Sequence, residues 1–357
     1  MMSLLAFIIL LPIIVFVHEF GHFIFARINK VKVEAFSIGF GAPIKMWKDK
    51  HGTEWKICMI PLGGYVKMLG QSDTPETAEQ KAENIKKLTK KEKAQSFEFK
   101  KRYQKASIVA AGPLFNFIFG FLIFWGLFFF KGVPNTPAVV MEVLKDSPAY
   151  TSGIKSGDTI VKVNKQAIEN PREISNIIQE AKGDVIEIEV MRENKIIPFT
   201  INPKKEGDKY LIGISYSSRF DGYKKQTLFS SLKVAYLQTS SIVHDTLKSL
   251  GEIFIGSRSS KELGGIISIA KVSGDALANG LTSFVYLMAF LSISLGLFNL
   301  FPIPVLDGGY LFIYLIEGII RRDIPEKVKE GMFFVGFMFI IFLLLLSNIN
   351  DIIRIFG

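Results

Sequence analysis

Hydrophobic residues gather in four long stretches, within 1–26, 106–130, 283–318 and 331–349, each broken by few charges. A helix of about 20 mostly apolar residues crosses a bilayer core, so the pattern predicts a polytopic α-helical membrane protein with about four transmembrane helices. The third of these, 283–318, is interrupted by prolines and glycines. The segments between the spans follow other rules. Within the first connecting loop, 27–105, residues 33–69 carry short alternating runs around the turn-like Asp49-Lys50-His51-Gly52, a pattern of β-hairpins. Residues 71–100 are polar and charge-rich, as in a solvated, partly helical segment. After the second span, strand-like runs at 139–143, 159–163, 185–191 and 196–201 flank one helical run at 174–181. That is the pattern of a small α+β domain, 137–203. The next stretch, 204–282, is amphipathic and mixed, and its pattern predicts no particular fold.

Composition sharpens this division. With 49% hydrophobic residues the chain is too apolar for an ordinary soluble domain, and its 21% charged residues exclude a bundle wholly buried in lipid. The net charge of +10 fits basic loops facing anionic lipid, so the bilayer is the expected partner and nucleic acid is not. Residues 1–17 lack a basic leading segment and a small-residue cleavage site, which marks 1–26 as a retained span rather than a removed signal. Arg27, Lys30 and Lys32 come directly after it, a lysine-rich run from Lys86 to Lys105 precedes the second span, and Arg321, Arg322, Lys327 and Lys329 separate the last two. By the positive-inside rule these loops are cytoplasmic, which puts both termini and the α+β domain on the extracytoplasmic side. Cys58 is the single cysteine, so a metal would be held by nitrogen and oxygen.

His18-Glu19-Phe20-Gly21-His22 in the first span is HExxH. Its spacing stacks two imidazoles on one helix face, where they grip one metal ion, and the geometry suits zinc. Chance produces the pattern in a chain of this length on the order of one time in a hundred. Ionisable groups in mid-span cost roughly 2.5–3.5 kcal/mol each, so three polar residues in five positions call for a compensating partner. A catalytic zinc takes three protein ligands and leaves a position for water. The best candidate for the third is Asp307, in Asn299-Leu300-Phe301-Pro302-Ile303-Pro304-Val305-Leu306-Asp307-Gly308-Gly309. Freed backbone groups at such an interruption are tolerated only against a protein-enclosed or watery cavity; the alternative is a plain interhelical loop with Asp307 as a helix cap. Asn116 in the second span and Asn299 in the third either tie helices together or line the cleft, holding a substrate backbone.

HEFGH, AGPLFN and NLFPIPVLDGG, in this order over three of the four spans, resemble the site-2 protease family of intramembrane zinc metalloproteases, in particular its bacterial regulator-of-sigma-E protease branch. SPAYTSGIKSGDTIVKVNKQAI with the helical run and two strand-like runs after it is similar to a PDZ domain of that branch, over about 137–203. The resemblance implies zinc held by His18, His22 and Asp307, Glu19 as catalytic base, and a place in the bacterial inner membrane. It further implies single-span membrane substrates such as anti-sigma factors or remnant signal peptides. A membrane-associated β-hairpin region fits 33–69, with Gly63, Gly64 and Tyr65 on the substrate-pairing strand, and the PDZ-like domain would take a peptide C-terminus, with Tyr210 to Ile214 as the candidate groove. The chain has room for one PDZ-like domain where the best-known member has two in tandem. A membrane-anchored adaptor has no need of HExxH in lipid, and a transporter would show several sites along a path and usually internal repeats.

Overall fold

The computed structural model describes residues 2–70, 88–168, 171–207, 209–218, 221–259, 262 and 264–356. Most of the segment expected to be solvated and partly helical, 71–87, lies outside them. Helix α1 (Met2–Ile28) leads into strands β1 (Val33–Lys48) and β2 (Glu54–Met68), the short helix α2 (Lys90–Gln95) and the long helix α3 (Arg102–Phe130). Next come β3 (Val133–Pro134), β4 (Ala138–Val143), α4 (Pro148–Ser152), β5 (Thr159–Val163), β6 (Gln166–Ala167), α5 (Pro171–Glu180), β7 (Ile186–Arg192) and β8 (Lys195–Ile201). Strands β9 (Lys204–Glu206), β10 (Lys209–Leu211), β11 (Ile214–Ser218) and β12 (Tyr223–Lys224) precede helices α6 (Leu228–Ile255), α7 (Ile266–Ala278), α8 (Leu281–Asn299), α9 (Asp307–Ile320) and α10 (Glu326–Phe356). The chain forms two compact units: Met1–Leu127 with Leu232–Gly357, and Phe128–Ser231.

In the first unit, α1, α3, α8 and α10 are long and apolar enough to cross a membrane. Only 6% of the most apolar stretch of α10 is buried, leaving Phe334, Phe342 and Leu345 exposed, which suits a lipid-facing helix. Ala6, Leu10 and Ile14 of α1 pack against Phe284 and Met288 of α8. The stretch 204–282, left without a fold by its pattern, contains strands and two helices. One of these, α7, has its N-terminus held from α10: Asp351 accepts from the backbone N–H of Gly265 at 3.0 Å and of Ser268 at 2.8 Å, satisfying helix-end donors that lack partners inside the helix. Glu317, whose place near the end of the third stretch reads as interfacial, is instead 3% exposed and ties α9 to the start of α10 and the turn before it. It accepts from the Ile324 N–H at 3.0 Å and from Lys329 Nζ at 2.9 Å.

The hairpin of β1 and β2 is bent rather than flat. Residues Ala35 to Ile38 lie between two stretches of β2, pairing with Lys67 to Gly64 on one side and with Glu54 to Ile57 on the other. The Gly64–Lys67 stretch is therefore an edge, with no further strand beside it among the described residues. Near α1 the hairpin is buried through Phe36, Val33 and Met68, packed with Phe23 and Ile108. Its far part exposes Phe40, Ile44, Met46, Met59 and Ile60, the apolar surface expected of a hairpin that touches lipid.

The second unit is a six-stranded sheet in the order β11-β4-β5-β7-β8, with β6 beside β5. Alternation in β7 turns Ile186, Ile188 and Val190 to one face, where Ile160, Ile174 and Ile201 complete a core. The sheet extends past the 203 boundary read from the sequence, because β11 pairs with β4, a partner distant in sequence that no local pattern marks. Asp158, 1% exposed, accepts a two-pronged bond from Arg192 (Nε to Oδ1 at 2.6 Å, the second guanidinium nitrogen to Oδ2 at 2.7 Å) and one from the Lys155 N–H at 2.8 Å. Burial pushes this carboxyl up, but the Arg192 bonds and the Lys155 N–H outweigh it and hold it below the ordinary carboxylate range. A depressed folded value means that the stabilisation is fully present above the unfolded value near pH 4 and is lost as pH falls through the folded one. Hydrogen exchange in the full-length protein should show the sheet amides losing protection below about pH 4. Asp158→Ala should cost about 3 kcal/mol at neutral pH and flatten that acid response.

Candidate metal centre

The interrupted third stretch, read as one span over 283–318, is two helices. α8 ends at Asn299, residues 300–306 form a loop, and α9 begins at Asp307. Asp307 makes no capping bond to its own helix, whose N-cap is Leu306. The loop is held tightly: Ile303 N–H donates to Phe301 O at 2.7 Å and Leu306 N–H to Ile303 O at 3.0 Å. A Cβ on Gly336 of α10 would lie 2.1 Å from Pro304 O, so α10 presses directly on the loop. Val305 is kept at φ 94°, a conformation rare for a β-branched residue, costing about 1–3 kcal/mol and persisting only where the surroundings enforce it. The strained loop delivers the Asp307 carboxylate to α1.

There His18, His22 and Asp307 meet. His18 Nε2 and His22 Nε2 are 3.2 Å apart, and Asp307 Oδ2 lies 3.1 Å from the first and 3.5 Å from the second. Oδ2 is buried, and no donor in hydrogen-bonding geometry reaches it. His22 Nδ1 faces Ile108 O at 2.9 Å; a carbonyl only accepts, so the proton of neutral His22 sits on Nδ1 and Nε2 points a lone pair at the centre. Lone pairs thus converge where nothing neutralises them. Four-coordinate zinc with bonds of about 2.0–2.1 Å needs ligand atoms about 3.3–3.4 Å apart, and the three measured edges bracket that value. The donor set, two imidazoles and a carboxylate, is one that catalytic zinc uses.

Helix α3 builds the back wall. It runs antiparallel to α1, with Ile108 O on His22 and Asn116 Nδ2 3.2 Å from His18 Nδ1. Between these contacts a Cβ on Gly112 would lie 2.4 Å from His22 Nε2 and 2.9 Å from His18 Cε1, and a Cβ on Gly21 2.4 Å from Ala111 O. Glycine at both positions lets the helices approach this closely. Glu19, His22 and Asp307 line one cavity of about 170 Å³ with Met68, Val109 and Tyr314, room for about five waters by liquid volume. The hairpin edge reaches Glu19: a Cβ on Gly64 would sit 3.2 Å from Glu19 Cγ. Gly63 has φ 98°, and Tyr65 stacks on Phe40 at 6.3 Å.

The two asparagines differ. Asn299, half-buried at the end of α8, makes no side-chain hydrogen bond to a described residue. Asn116 is fully buried behind His18, not on an open cleft wall. Sequence reasoning missed Gly112 and the Ile108 carbonyl; the four-residue steps 108, 112 and 116 match the step from His18 to His22, a signal visible only once the two helices are known to be neighbours.

A model described as Peptidase family M50 matches residues 6–343. A Rickettsia conorii protein named "putative zinc metalloprotease" is 36% identical over 369 residues, covering 100% of each chain. A Clostridium perfringens protein of the same description is 35% identical over 343 residues, covering 95% of each. The crystal structure of a PDZ domain from an SdrC-like protein of Listeria monocytogenes, 24% identical, covers 24% of this chain and 90% of its own, with a TM-score of 0.22.

Proposed function

Because the chain belongs to peptidase family M50, a family of zinc metalloproteases, we propose that this multi-pass membrane enzyme holds its zinc through His18, His22 and Asp307 and cuts single-span membrane proteins inside or beside their spans. The observation that carries this reading is the buried triangle of donor atoms on helices apolar enough to cross a membrane. Zinc bound there supplies Lewis acidity that makes a water nucleophilic near neutral pH. Glu19, on the cavity wall, takes that water's proton on its carboxylate and hands it to the leaving amine. Asn299, with its amide uncommitted, holds the substrate backbone.

A substrate helix hides its amides in its own hydrogen bonds and must unwind before attack. The edge at Gly63–Val66 stabilises the extended form by strand addition, and its contact with Glu19 sets the paired segment beside the base. Tyr65→Pro and Val66→Pro should lower cleavage about tenfold, the worth of one or two backbone bonds, with zinc content unchanged; full activity in both variants would rule out the pairing. The basic loops favour an extracytoplasmic second unit by the positive-inside rule, and the resemblance to the bacterial branch favours the inner membrane. Of the candidate groove Tyr210 to Ile214, Tyr210 and Leu211 pair with β9 instead; the edge strand β11 beyond them, close to α5 through the 2.9 Å Ser175 Oγ to Tyr216 OH contact, is a PDZ-like docking edge for a freed peptide C-terminus. The resemblance to the regulator-of-sigma-E branch supports anti-sigma factors and remnant signal peptides as substrate classes. Mass mapping of products from a single-span substrate tests it: cuts within or beside the apolar segment are expected, and cuts confined to distant soluble regions would contradict it.

A further inference from the structure

Asn116 is fully buried, and its amide lies 3.2 Å from His18 Nδ1. Its position is fixed from behind as well. Ser292 Oγ donates to the Asn116 backbone carbonyl at 2.9 Å, and a Cβ on Gly296 of α8 would lie 3.2 Å from Asn116 Cβ. An amide so enclosed does not reach a peptide in the cleft. What it touches is the nitrogen of His18 that faces away from the centre.

If His18 Nε2 gives its lone pair to the centre, the ring proton sits on Nδ1 and needs an acceptor. As placed, Asn116 turns Nδ2 toward Nδ1, while its Oδ1 is buried with no partner. Rotating the amide by half a turn exchanges the two atoms without changing its shape. It gives up no bond to Oδ1, because there is none, and brings an acceptor to His18 Nδ1–H. His22 already has such an acceptor in Ile108 O at 2.9 Å. Each imidazole would then be backed by one oxygen of α3.

We propose that Asn116 is a positioning residue, whose side-chain oxygen accepts from His18 Nδ1–H and so fixes the ring tautomer and orientation that present Nε2 to the metal. This rests on the metal-centre reading above and replaces the substrate-contacting role, one of the two that the sequence leaves open. Partners of this kind typically alter metal affinity 10–100-fold when removed.

The test compares zinc dissociation constants, by chelator competition on the full-length detergent-solubilised protein, for wild type, Asn116→Leu and Asn116→Asp, with melting temperatures of the metal-free forms as a control for folding. Leucine keeps the bulk and removes the acceptor; it should weaken zinc binding about 10–100-fold while the metal-free melting temperature holds. Aspartate keeps an acceptor oxygen and loses the N–H donors, so it should retain zinc at least as tightly as wild type. If Leu and wild type bind zinc equally, Asn116 has no such role. If the Asp variant folds but loses zinc tenfold or more, the amide acts as a donor and the proposal is overturned. Should the Leu variant fail to fold, the Asp result decides alone. Wild-type protein that binds no zinc would instead overturn the metal-centre reading itself.

Discussion

Gly112→Ala should abolish both zinc binding and proteolysis. The new Cβ would fall 2.4 Å from His22 Nε2 and 2.5 Å from His22 Cε1, with His18 Cε1 at 2.9 Å, so both imidazoles are struck by one methyl group. Neither ring has room to yield, since His22 is held to Ile108 O at 2.9 Å and His18 backs onto buried Asn116. The remaining escape is for α3 to move away from α1, which would also open the contact of Gly21 with Ala111. Overpacking of this kind costs about 1–3 kcal/mol, within reach of a folded protein, so the chain should still insert and fold while its metal site is lost. Metal analysis and a cleavage assay check this. Wild-type zinc content in the variant would show that the helices are looser than described.

Glu19→Gln should separate the two readouts, keeping zinc while losing cleavage. The carboxylate is on the cavity wall but outside the triangle of donor atoms, so the amide should leave about one zinc per chain in place. It cannot take a proton from water, and cleavage should fall by a factor of about 100 to 10,000, the range for loss of a general base. The pair of variants separates holding the metal from using it. A Gln variant with wild-type turnover would remove Glu19 from the mechanism.

The contrast between these residues shows what the sequence made legible. HExxH is a local pattern on one helix, and Asp307 stood out because prolines and glycines break an apolar run around it; both depend on residues near in sequence. The hairpin was visible in the turn at Asp49 and the alternating runs beside it. Its bend, which puts Ala35 to Ile38 between two stretches of β2 and leaves Gly64–Lys67 as an edge, depends on pairing that no local pattern encodes. The same holds for β11, which joins a sheet through partners 71 to 80 residues away, and for Glu317, whose misfit in an apolar helix is resolved by Lys329 on the next one. Asn116 was noticed as a lone amide in a span, but its role turns on which atom faces it across two helices. Residues whose meaning is carried by their own helix were read directly; those whose meaning lies in a neighbour were not.

The most direct test of the account is stepwise zinc restoration. Purified protein is stripped of metal, zinc is returned in measured fractions of an equivalent, and cleavage of a detergent-solubilised single-span substrate is measured against bound metal. The account predicts no cleavage by the stripped protein and activity that rises in proportion to zinc, saturating near one per chain, as a single site with three protein ligands requires. Folded protein that cuts at full rate without metal, or that binds no zinc at all, would contradict it.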